Sequence, residues 1–278
     1  MPPRLRTALA FASLLLALLA CGPSAVTSLE PGRQVPAFDP RLAARGPIAT
    51  SVTSDALQSA FGCLVRYDVH TPDAWHGGAT VVLAHGFLRN LASMRGWAEH
   101  LASHGVRTAV VSFCNSTLFA GHHDRNALDL RAVADALPAP EASTARVLYA
   151  GFSAGGLAAL LAAAEDPAAV AYLGLDPVDS GGLAAGATEW QGPALFLFAE
   201  PSPCNAEGNM RPFADHLASA RVVSVTHATH CHFEDPYASA CERLCGRVDP
   251  PEAALAIRDA IRSQATAFVL QHAGRAPR

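Results

Sequence analysis

Ser153 stands in Gly-Phe-Ser-Ala-Gly-Gly (151–156), and later segments of the 278-residue chain offer the other groups that a reactive serine needs. A hydroxyl is a poor nucleophile at neutral pH and requires a general base within hydrogen-bond reach. Three histidines, His227, His230 and His232, crowd the stretch RVVSVTHATHCHFEDP (221–236). Two carboxylates close apolar runs, Asp176 at the end of AVAYLGLD and Glu200 at the end of PALFLFAE. A carboxylate in such a set fixes the imidazole tautomer and stabilises the imidazolium formed during attack. The chemistry these types could perform is acyl transfer through a serine oxygen. A motif as short as Gly-x-Ser-x-Gly also arises by chance, so the reading depends on what positions each residue.

The elements around the serine fit that use. The run RVLYAGF before it reads as a strand and AGGLAALLAAAED after it as a helix. A nucleophile at such a corner is thrust out beside the positive end of a helix. Gly151 and Gly155 are expected to be needed because a Cβ at either would clash in so tight a turn. Six further apolar runs, CLVRYDV, ATVVLAHG, RTAVVSFC, AVAYLGLD, PALFLFAE and RVVSVTHA, are nearly continuous, as strands covered on both faces are. Helical spacing fills the segments NLASMRGWAEHLASHG, NALDLRAVADALP, NMRPFADHLASA and PEAALAIRDAIRSQATAFVLQHA. This alternation predicts an α/β fold, a mainly parallel central sheet flanked by helices on both faces. No internal repeat is visible, and no insertion is long enough for a separate lid domain, so the mouth of the site is expected to be open.

The first 20 residues read as an export signal, with Arg4 and Arg6 ahead of an apolar stretch from Ala8 to Ala20. That stretch is too short for a spanning helix. Leu18-Leu19-Ala20-Cys21 resembles the lipobox of bacterial lipoproteins, with Leu19 a less usual middle residue. The resemblance implies cleavage before Cys21, lipidation of its sulfur and a membrane tether; ordinary signal cleavage and secretion is the alternative. Residues 21–60, rich in Pro, Gly, Ser, Thr and Ala, read as a tether and an N-terminal segment lying on a domain of residues 61–278.

Six cysteines remain, Cys63, Cys114, Cys204, Cys231, Cys241 and Cys245, and an even number in an exported chain favours disulfides. Cys241 and Cys245 lie four apart, as on one helical turn, so each is expected to pair with a more distant partner. The alternative is a zinc site drawing on Cys231, His227, His230 and His232. In GHHDRNALDL (121–130), Asp124 reads as a helix N-cap rather than a metal ligand, in a loop expected to border the cleft. With 20 Lys+Arg against 24 Asp+Glu and no basic block, nothing points to nucleic acid.

Taken together, these segments resemble the α/β-hydrolases, in particular their chlorophyllase-like, cutinase-like and polyester-hydrolase-like group. AHGFLRNLASMRGWAEHLASHGVRTAVVSFC is similar to the group's oxyanion turn, first helix and next strand, and AGFSAGGLAAL to its nucleophile elbow. AYLGLDPVDS resembles the Gly-Ile-Asp-Pro-Val segment of chlorophyllases, and PSPCNAEGNM weakly the loop after their next strand. The resemblance spans roughly residues 60 to 270. The elbow and oxyanion turn are common to the superfamily; only the Asp-Pro-Val segment points to the narrower group. The elbow departs from the Gly-His-Ser-Arg-Gly of the plant enzymes, which argues against a chlorophyll substrate.

The resemblance implies roles. Ser153 is the nucleophile and His230 the base, with His232 the alternative; His227 still lies at the strand's edge. Asp176 is the acid, with Glu200 the alternative and Asp179 a turn residue. The amides of Phe87 and Ala154 form the oxyanion hole, and His85 braces the turn. The implied activity is hydrolysis of a carboxylic ester, small or polymeric, with no cofactor or metal. An acyltransferase, a thioesterase, a peptidase or a non-catalytic binding lipoprotein of the same fold are the alternatives.

Overall fold

A computed structural model describes residues 38–73, 75, 77–118, 120–138, 146–237, 239–245 and 249–274. The export signal, Cys21 and most of the expected tether lie outside these residues. All seven apolar runs are strands. They are β2 (Leu64–Pro72), β3 (Thr80–Ala84), β4 (Thr108–Ser112), β5 (Val147–Phe152), β6 (Ala169–Leu175), β7 (Ala194–Phe198) and β8 (Ala220–Ser224). An eighth strand, β1 (Thr50–Gln58), precedes them within the stretch read as an N-terminal segment. Its sequence TSVTSDALQ is mostly polar and almost wholly exposed. It buries no apolar face, and it is held by its antiparallel ladder to β2.

The sheet order is β1-β2-β4-β3-β5-β6-β7-β8. β2 runs antiparallel to both neighbours, and β3 through β8 are parallel. Strands β3 to β7 carry Val, Leu, Ala and Phe in unbroken or nearly unbroken burial, because helices cover both faces. On one face α3 (His123–Ala136), α4 (Ala154–Glu165) and α5 (Arg211–His216) pack over Tyr149, Tyr172 and Phe196. On the other, α2 (Arg95–Ser103) and α7 (Pro251–Ala273) cover Leu83, Leu148 and Leu173. After β3 the chain moves to β4 on one side, then returns to β5 on the other. That reversal leaves a crevice at the carboxyl ends of β3 and β5, where ligands of open α/β sheets bind.

Two local expectations change. Asp124 does not cap α3: His122, with φ 47°, holds the cap position without a side-chain bond, and Asp124 lies inside the first turn. There its charge faces the helix's positive end. The other concerns the cysteines, which form Cys63–Cys114, Cys204–Cys245 and Cys231–Cys241. Cys241 and Cys245 share helix α6 (Ser239–Cys245) and pair elsewhere, as their spacing predicts. With Cys231 bonded, the zinc set built on it lacks its thiolate.

Candidate active site

The corner after β5 carries backbone strain where chemistry would need it. Ser153 has φ 55° and ψ −130°, a conformation rare for any residue with a Cβ. Both glycines are there for space: an added Cβ at Gly151 would meet the Gly155 carbonyl oxygen at 2.3 Å, and one at Gly155 the His85 carbonyl oxygen at 2.1 Å. The second contact seats the elbow against the turn after β3. Ser153 is thereby held at the crevice, 9% exposed.

Three of the sequence-named side chains meet there. His230 Nε2 lies 3.0 Å from Ser153 Oγ, and His230 Nδ1 lies 2.6 Å from Asp176 Oδ2. The tautomer that satisfies both has Nδ1–H donating to the carboxylate and Nε2 accepting from the hydroxyl. Asp176 is fully buried, at the end of β6, with φ 44°. Its Oδ1 accepts the Ala199 amide at 2.9 Å, and its Oδ2 accepts Asn205 Nδ2 at 3.1 Å. Burying a carboxylate is costly unless it is paired and hydrogen-bonded, and Asp176 is both. The Phe152 ring packs on the imidazole, centroids 4.6 Å apart.

The alternatives sit elsewhere. The Glu200 side chain is half exposed and accepts the His227 amide at 2.8 Å. His232 is buried, but its Nδ1 accepts the Thr229 amide and its Nε2 lies 3.5 Å from Asp249. Its Nδ1 is therefore occupied by that amide. His227, with φ 63°, is exposed against Glu200. Asp179 takes part in the following loop, where its carboxylate accepts the Ala184 amide and its carbonyl accepts Asn209 Nδ2.

A cavity of about 440 Å³ opens on Ser153, walled by Phe87, His123, Ala154, Val178 and Pro203 among others. Phe87 and Ala154 both line this wall, and neither backbone amide donates a hydrogen bond among the described residues. Two spare donors beside a serine can hold a developing oxyanion. His85 braces the turn between them: its Nδ1–H donates to the Gly86 carbonyl (2.7 Å), and its Nε2 accepts the Phe113 amide (3.1 Å). Burial drives the His85 imidazole down to about 4, keeping it neutral in that role.

Sequence reasoning missed two supports. Asn205 is fully buried; its amide also donates to the Glu200 carbonyl while its Oδ1 accepts the Ser202 amide. Its one signal was its place in PSPCNAEGNM, a loop already matched to a hydrolase loop. The other is an ion pair between Arg89, two residues beyond Phe87, and Glu234, four beyond His230, with the Glu234 side chain wholly buried. The same two segments are joined again, because Trp97 Nε1 donates to the Phe233 carbonyl and the Asp235 amide to the Ser93 carbonyl. The turn after β3 and the loop of His230 are thus one bonded unit. No spacing rule links residues 145 apart.

No family model matches this chain, and no curated protein does. Solved structures do. The chain is similar to a ferulic acid esterase from Streptomyces cinnamoneus at 19% identity and a TM-score of 0.61, over 84% of this chain and 93% of that one. It is similar to an esterase from Pseudomonas putida at 16% identity and a TM-score of 0.59, over 82% and 84%. An α/β serine hydrolase homologue from Coxiella burnetii aligns at 18% identity and a TM-score of 0.54, over 64% and 88%. Strand order, parallel sheet and these likenesses agree: the chain has the α/β-hydrolase fold.

Proposed function

We propose that the protein is a serine hydrolase of carboxylic esters. Ser153 Oγ attacks the ester carbonyl carbon while His230 Nε2 takes the hydroxyl proton. Asp176 holds the ring and stabilises the imidazolium. The amides of Phe87 and Ala154 bind the oxyanion of the tetrahedral intermediate. Its collapse breaks the bond to the alcohol, which leaves with the proton from His230. Water then attacks the acyl-enzyme by the same route in reverse order and releases the acid. The observation that carries the reading is the unbroken chain Ser153–His230–Asp176 facing a cavity with two spare amide donors. Two of the similar folds are esterases by name, which favours the ester bond over other acyl substrates.

The reading extends to location. The N-terminal pattern and the three disulfides fit an exported protein tethered through a lipidated Cys21, acting on an external ester of moderate or large size such as a lipid or polyester. The Asp-Pro-Val segment favours the cutinase-like and chlorophyllase-like branch. Hydrolysis of p-nitrophenyl acyl esters of increasing chain length tests the activity. Turnover by the wild type and its loss in Ser153→Ala are expected; equal turnover by the variant overturns the assignment. Replacing Cys21 with serine should move the protein from the membrane to the soluble fraction.

A further inference from the structure

One buried polar group in the Ser153 cavity has no task in the mechanism above. His123 opens α3, is 5% exposed, and contributes to the cavity wall. Its Nδ1 is enclosed without a hydrogen-bond partner. Leaving a buried polar side chain unsatisfied is costly, so such a group calls for an explanation. The ring is not a base waiting for a proton: burial lowers its pKa, with the neighbouring His122 also opposing the charge and Asp124 favouring it. A neutral imidazole has one N–H donor and one acceptor nitrogen.

Gly121 makes room for the ring at this wall. Gly121 lines the same cavity, and a Cβ built there would lie 2.1 Å from His123 Nε2 and 2.4 Å from Cε1. No side chain is tolerated at 121 while the imidazole keeps its place. Glycine therefore gives the imidazole the room it occupies at the cavity wall, its Nε2 edge close against the backbone of residue 121. The segment is fixed in turn by Ser116 Oγ and Asn126 Nδ2, both donating to the Gly121 carbonyl at 2.7 and 3.0 Å. Phe87, whose amide is one of the two oxyanion donors, meets the His123 ring edge-on at 6.4 Å between centroids. The imidazole thus shares one cavity with Ser153, Phe87 and Ala154.

We propose that His123 is a substrate-contacting, specificity-determining residue that hydrogen-bonds a second oxygen function of the ester, a hydroxyl or carbonyl near the scissile group. The inference rests on the serine-hydrolase reading and deepens it. The substrate class it names is esters of hydroxylated or oxo-substituted chains, as in hydroxy-acid polyesters, rather than plain hydrocarbon acyl esters. A site built to bond an oxygen discriminates against the analogue lacking it, because its own polar group is then left unpaired.

The test uses two matched pairs: p-nitrophenyl 3-hydroxybutyrate with p-nitrophenyl butyrate, and 2-hydroxyethyl butyrate with propyl butyrate. The first pair places the extra oxygen on the acyl side, the second on the alcohol side. The wild type should favour the oxygenated member of at least one pair by roughly five-fold or more in kcat/KM, the worth of one neutral hydrogen bond. His123→Phe, apolar and ring-shaped, should bring the ratio of kcat/KM within the preferred pair to about one, with fluorophosphonate labelling of Ser153 retained as the sign of an intact site; His123→Gln should restore part of the ratio. A preference that is absent in the wild type, or that survives in His123→Phe, overturns the inference and leaves the hydrolase reading intact. Failure of the wild type to hydrolyse any of the four esters, together with no covalent labelling of Ser153 by a fluorophosphonate, overturns both.

Discussion

The two walls of the Ser153 cavity are built by different means. On the histidine side, three loops converge and are locked by covalent and ionic links. Cys204–Cys245 ties down the loop of Asn205, which holds Asp176; Cys231–Cys241 grips the residue after His230; Arg89–Glu234 joins that loop to the oxyanion turn. Asp235, the next residue, is further paired with Arg258 and Arg262 of α7. On the opposite side, the segment leading to His123 rests on hydrogen bonds among Ser116, Gly121 and Asn126. Its one covalent tie, Cys63–Cys114, lies before that segment and secures the β2 and β4 ends. The difference separates two tasks. In the proposed mechanism the first wall transfers the proton, which tolerates little misplacement, and that wall is cross-linked. The other would meet the variable part of the proposed substrate and is held more lightly.

Breaking the first wall at its centre has the largest expected effect. His230→Ala should lower kcat by about 10⁴-fold or more, with the fold retained by circular dichroism, since no other described imidazole lies against Ser153. Next comes Arg89→Ala, which leaves Glu234 buried without its cation. Breaking such a pair costs about 3–5 kcal/mol; with Arg89 partly exposed, about 3 kcal/mol is expected by urea denaturation. Replacing Glu234 by Leu in the same chain should recover part of that loss, whereas a double variant no more stable than Arg89→Ala would mean the carboxylate is not the penalty.

The disulfides set the walls against each other directly. Cys204 and Cys245 replaced together by serine, and Cys63 and Cys114 likewise, should each cost about 2–4 kcal/mol, because their loops span 41 and 51 residues. Only the first pair should also lower kcat, about ten-fold, by loosening Asn205 on Asp176. Equal kcat in both double variants would erase the contrast drawn above.

The smallest effect concerns His85, the link between the walls. Its folded value, about 4, lies below the unfolded 6.5, so the unfolded chain takes up the proton first as pH falls. Stability from this group is complete above 6.5 and is lost between 6.5 and about 4. His100, also held to about 4 by burial, adds to the same slope from helix α2, outside both walls. The thermal midpoint should therefore decline across that window. His85→Gln should flatten the decline by part, and the remainder should persist from His100 and from His70, His123 and His272, whose pKa burial also lowers.

What the sequence made legible follows from range. The parallel strands announce themselves because both faces are buried, and Ser153, Asp176 and His230 each end or follow such a strand. The exposed strand β1 has no apolar signature, since its stability lies in a backbone ladder that any side chains permit. Asn205 and the Arg89–Glu234 pair act across distances that only the folded chain closes. Asp124 looked like a cap because its type is right for one; the backbone instead turns at His122, one position before the helix begins. His123 was visible only as part of a histidine pair, and its place in the Ser153 cavity emerges only from the fold.

The central claim is that Ser153 is a nucleophile activated by His230. Incubation of the folded protein with a fluorophosphonate, followed by peptide mass spectrometry, tests it most directly. The account predicts one phosphonyl adduct, on the peptide bearing Ser153, formed far more slowly in His230→Ala and absent in Ser153→Ala. A folded wild-type protein that takes no label, or an adduct that persists in Ser153→Ala, would contradict it.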